Sequence, residues 1–177
     1  MIELKLGENL NLNAEAPGLS HVLIGIQMRT SEPMLQDYLE SGVVLTRGGA
    51  LVRDEDFVFE HQVVDSSASV YRREYMEQDT VQYMVSLNDV PEDIDSLEIL
   101  IFVNGTDAIR LNRLDSLRVR LLNPVDGRTL LTTPLLQTGR SAVLRCLQLY
   151  RHRGDWKIRA VQDEWDSLQA MMKGFGR

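Results

Sequence analysis

Chemistry in a chain of this kind needs a nucleophile, an acid–base pair or a ligand cluster, and the candidates for each are few. Cys146 is the only cysteine. Set between Arg145 and Leu147, it reads as a small buried hydrophobe, because burial is the habit of a free cysteine. The histidines His21, His61 and His152 are far apart in sequence, and no zinc-ligand spacing is visible among them. No Gly-x-Ser-x-Gly elbow presents a serine. The acidic turns Asp54-Glu55-Asp56 and Glu92-Asp93-Ile94-Asp95 hold carboxylates that a turn ordinarily leaves solvated, and no pair has surroundings that would set an acid against a base. The chain is therefore not expected to be an enzyme. Its sharpest polar feature is the junction Asp37-Tyr38-Leu39-Glu40-Ser41, where a polar stretch runs into the apolar segment Gly42-Val43-Val44-Leu45.

The elements that must position these residues are mostly strands. Trp156, Ile158 and Ala160 alternate with Lys157 and Arg159, which is the period of a half-buried strand. With Leu147 to Arg151 before it and a glycine in the His152 to Asp155 connection, this segment predicts a β-hairpin. Val81, Tyr83, Val85 and Leu87 form a one-sided strand, and Leu117, Val119 and Leu121 another. The run Leu97 to Val103, interrupted only by Glu98, predicts a strand buried on nearly both faces. Short strands are also expected at Ile2–Leu6, Leu10–Leu12, His21–Met28, Phe57–Phe59 and Val70–Met76. Asn13 to Gly18 and Thr30 to Tyr38 read as polar connections, and Asn123 to Arg128 as the turn of a second hairpin leading to Leu130-Leu131. From Asp163 the period lengthens: Trp165, Leu168, Met172 and Phe175 recur as on one helix face, which Gly174 and Gly176 end. The expected fold is mainly β, a two-sheet antiparallel sandwich with a short C-terminal helix, forming a single domain over residues 1–177.

Charge is unevenly distributed. Residues 31–100 hold 16 Asp and Glu against 4 Arg, whereas residues 101–160 hold 4 Asp against 11 Lys and Arg. If Arg118, Arg120, Lys157 and Arg159 project from neighbouring strands, they form one basic face able to dock an acidic protein, another copy or anionic lipid. The net charge of −7 argues against a nucleic-acid partner, which needs a basic footprint. No segment approaches a transmembrane span, the N-terminus has no signal-peptide pattern, and one cysteine forms no intrachain disulfide, so a cytoplasmic protein is expected.

Several short stretches resemble the tellurium-resistance TerD-type stress protein family. They are Leu4-Lys5-Leu6-Gly7-Glu8-Asn9, Ala16-Pro17-Gly18-Leu19, Phe57-Val58-Phe59, Val90-Pro91 with Ile94-Asp95, and Leu149-Tyr150-Arg151 with Trp156 to Val161. The resemblance implies a β-sandwich and a stress-response role in the cytoplasm or at the inner membrane surface, with protein partners in a complex. It also implies calcium in acidic loops at one end. At the matching positions this chain keeps Asp37 and Asp79, but has Leu39 and Val81 where the family has acids. Glu40 and Glu77 are the nearest helpers. Calcium takes about six to eight oxygens, so a site with two fixed carboxylates should bind weakly, at or beyond ~1 mM. No cofactor is expected. The reading is a non-enzymatic binding or assembly protein without a tight calcium site; the alternative is a calcium-responsive module built on the same acidic loops. The oligomeric state is not legible.

Overall fold

Alternation of apolar and polar residues builds two sheets whose inner faces share one core. The computed structural model describes residues 1–76 and 78–177. Its strands are β1 (Ile2–Glu3), β2 (Asn9–Asn11), β3 (His21–Arg29), β4 (Leu39–Thr46), β5 (Phe57–Phe59), β6 (Val70–Met76), β7 (Asp79–Ser86), β8 (Ser96–Val103), β9 (Ser116–Leu122), β10 (Thr129–Thr132), β11 (Val143–His152) and β12 (Asp155–Trp165). Its α-helices are α1 (Leu12–Glu15), α2 (Pro33–Tyr38) and α3 (Leu168–Gly174). The first sheet has the order β1-β10-β9-β3-β7-β6 and the second β2-β12-β11-β8-β4-β5. The expected two-sheet, mainly β architecture is thus present, and its ladders are antiparallel except β1 with β10, where Ile2 aligns in parallel with Leu131.

The β11–β12 hairpin closes through Arg153 and Gly154, both at positive φ, which is the two-residue turn whose twist matches the strands it joins. Trp156, Ile158 and Ala160 face the core. β8 is buried along its whole length for a reason outside the sandwich itself: α3 lies against the outer face of the second sheet, and Met171 and Phe175 join Leu100 and Phe102 there in a second apolar cluster.

The helix differs from the sequence expectation in its start. β12 runs on to Trp165, and the helix begins only after Ser167, whose hydroxyl accepts from the Ala170 N–H at 3.0 Å. Two connections expected to be irregular are also partly helical. Asn11 caps α1 by accepting from Ala14, and Pro33 opens α2, where its missing N–H costs nothing.

The proposed basic face does not form. Arg118 and Arg120 lie on β9 of the first sheet, whereas Lys157 and Arg159 lie on β12 of the second. Their neighbours Leu117, Val119, Ile158 and Ala160 all point into the shared core, so the basic residues point away from each other on opposite outer faces.

A bulge between Arg145 and Leu147 turns both Cys146 and Leu147 inward. Burial pushes the Cys146 thiol up to about 12. Native protein should therefore be inert to a thiol reagent at pH 8 and should release one equivalent on unfolding in urea; rapid labelling of folded protein would contradict this placement.

Candidate functional site

The two ends of the sandwich differ in character. At the hairpin end, β8 starts beside the end of β4. Asp95 accepts from the Thr46 hydroxyl and, at 3.0 Å, from the Gly49 N–H. Arg151 donates to the carbonyls of Ile94, Val90 and Pro91 at 2.9, 2.8 and 3.1 Å, and its guanidinium lies 4.4 Å from the centre of the Trp156 ring. The stretches around Val90-Pro91, Ile94-Asp95, Arg151 and Trp156 thus meet in one closed structural clamp.

The opposite end opens as a cleft of about 880 Å³, where β3 and β8 finish and β4 and β7 begin. Its lining includes both expected metal residues, Asp37 and Asp79, and the helper Glu40. Glu77 lies outside the described residues. Asp37 is exposed on α2, one residue from its end.

Asp79 is placed differently, because the β3–β7 ladder ends at Ile26–Val81. Beyond that pair, the Thr80 hydroxyl accepts from the Met28 N–H at 3.0 Å and donates to the Met28 carbonyl at 3.1 Å. Asp79 folds across the outer face of the first sheet and is 3% exposed. There Arg120 grips it with two nitrogens, Nε 2.9 Å from Oδ1 and Nη2 2.8 Å from Oδ2, while Gln82 donates to Oδ2 at 2.8 Å. Gly25 makes room for this pair, since a Cβ there would sit 2.3 Å from Asp79 Oδ2.

Both Asp79 oxygens are engaged by protein donors, the Gln78 carbonyl accepts from Arg29 at 2.8 Å, and the Thr80 hydroxyl is committed to Met28. Calcium needs free oxygens and negative charge. The residues present do not fit it, because a guanidinium already occupies the charged side of the loop.

On the other wall of the cleft lies a group that the sequence did not reveal. Glu60 and His61, in the turn after β5, approach Glu40 at the start of β4, and one ligand atom from each of the three lies within 4.8 Å of the others. The Gly42–Phe59 pairing of β4 with β5 brings them together. Glu40 is held above the usual carboxylate range by burial and by the adjacent Glu60 carboxyl, against the opposing influence of the Asn104 side chain. At the floor, the Tyr83 hydroxyl and Ser41 Oγ are 2.8 Å apart, and burial raises Tyr83 to about 12. Arg72 beside it is paired with Glu74. The sequence signal was weak: Glu60 and His61 are adjacent, but Glu40 is twenty residues away.

Comparison with known proteins defines the class. The TerD domain model matches residues 1–175, and the chain belongs to the TerD family. It is 28% identical over 171 residues to the tellurium resistance protein TerD of Serratia marcescens, covering 90% of this chain and 88% of that protein. General stress protein 16U of Bacillus subtilis is likewise 28% identical over 171 residues, covering 90% of this chain and 89% of the relative. The crystal structure of a telluride resistance protein (TerD) homologue from Streptomyces coelicolor shares the fold with a TM-score of 0.63 at 13% identity, covering 85% of this chain and 92% of that one.

Proposed function

We propose that this protein is a non-enzymatic member of a stress-response system of the tellurium-resistance type, acting as a binding or assembly subunit without a tight calcium site. The family and the names of its relatives support the stress-response part. The observation that carries the calcium part is the Arg120–Asp79 pair, in which a fixed side-chain cation satisfies the buried one of the two expected calcium carboxylates. Partner proteins then recognise the surface of an already rigid sandwich, and calcium does not order it first. The calcium-responsive alternative rests on Asp37 and Glu40 opening into the same cleft as Asp79.

Thermal melts separate the two. With ~1 mM free calcium and a Kd of ~1 mM the stabilisation is about 0.4 kcal/mol, whereas a micromolar site would add about 4. The melting temperature of chelator-treated protein should barely move. In cells lacking the gene, wild type and Asp37→Ala should restore survival under tellurite equally. A large calcium shift abolished by Asp37→Ala, with loss of complementation, would establish the calcium module instead.

A further inference from the structure

We propose that Glu40, Glu60 and His61 form a binding site for a divalent ion of the zinc class at the mouth of the cleft. Two observations carry the assignment independently. The first is convergence: a carboxylate oxygen from each glutamate and a ring nitrogen of His61 already lie within 4.8 Å of one another. Ligands around a tetrahedral ion at ~2.0–2.2 Å are about 3.4 Å apart, so side-chain rotation of the exposed Glu60 and His61 closes the set without moving a strand. Phe59 stands edge-on to the His61 ring with centroids 5.7 Å apart and limits its orientations.

The second observation is an unfilled acceptor. Glu40 Oε2 is shut off from solvent and has no hydrogen-bond donor among the described residues. A buried carboxylate oxygen in that state calls for either a proton or a cation. The neighbouring Glu60 carboxyl makes the cation the better occupant, since one divalent ion neutralises both groups at once.

Donor chemistry selects the ion. Two carboxylates and an imidazole suit zinc and its first-row neighbours, while calcium and magnesium prefer shells of oxygen. Three protein ligands leave a coordination position for water or for a side chain from a partner. The histidines looked too scattered for such a site in sequence, and only one of them takes part; the glutamates supply the rest. The site shares Glu40 with the calcium-responsive alternative but uses neither Asp37 nor Asp79, so His61→Ala and Glu60→Gln tell the two apart.

The test is titration of metal-free full-length protein with Zn2+ against a chromophoric chelator, with Ca2+ in parallel. One equivalent of Zn2+ should bind and raise the melting temperature, and an equal concentration of Ca2+ should not displace it. His61→Ala and Glu60→Gln, both at exposed positions, should keep the metal-free melting temperature and weaken binding at least tenfold. Glu40→Gln should weaken it similarly, and His152→Ala, on the hairpin at the far end, should change nothing. Absence of stoichiometric binding, binding undiminished by His61→Ala and Glu60→Gln, or ready displacement by calcium would overturn the site whatever the outcome of the calcium melts.

Discussion

Trp156→Ala should lower the stability of the fold by about 3–5 kcal/mol, the range for deleting a large aromatic from a packed core. Trp156 is 5% exposed and sits where β12 leaves the hairpin turn. Its ring also supports Arg151, which binds three carbonyls of the Val90–Ile94 loop, so truncation removes both the apolar contacts and the platform under a cation. Lys157, one residue on, points out of the sandwich, and Lys157→Ala should cost less than ~0.5 kcal/mol. Urea melts of the two variants measure the contrast. Equal small losses would mean that the facing of β12 is wrong.

The same alternation explains why so much of the fold was legible. A period of two states which side of a strand is buried, and at Trp156, Ile158 and Ala160, as at Val81, Tyr83 and Val85, the inward residues are those it marks. It does not say which strands are neighbours. Alternation alone therefore allows Arg118 and Arg120 to share a face with Lys157 and Arg159, although the two pairs belong to different sheets. The helix begins later than the apolar spacing suggests because Trp165 serves the end of a strand and the outer cluster together, and its position fits either period. The calcium loop illustrates a further limit. Missing acids at Leu39 and Val81 could be read directly, but the cation that pairs with Asp79 is Arg120, forty-one residues beyond it, and no local spacing announces it. Glu60 and His61 escaped for the same reason, since only the β4–β5 pairing gives them Glu40 as a third member.

Arg120→Met should be destabilising by about 3–5 kcal/mol, because it leaves the Asp79 charge buried with amide donors but without its bidentate cation. Methionine keeps much of the aliphatic stem, so the loss reports chiefly on charge. Asp79→Asn in that background should recover most of it, since replacing both members of a buried pair is far cheaper than removing one. A double-mutant cycle in urea would then give a coupling energy of at least about 3 kcal/mol, because the coupling is the stability recovered plus the cost of Asp79→Asn alone. The cycle also connects stability to ion choice. In Arg120→Met the Asp79 carboxylate loses its cation at the edge of a cleft that Asp37 also lines, and millimolar calcium should raise the melting temperature of that variant more than it raises wild type. The double variant, with an amide in place of the carboxylate, should lose this response. If Arg120→Met is no less stable than wild type and equally indifferent to calcium, the guanidinium is not the group that keeps metal out of the loop.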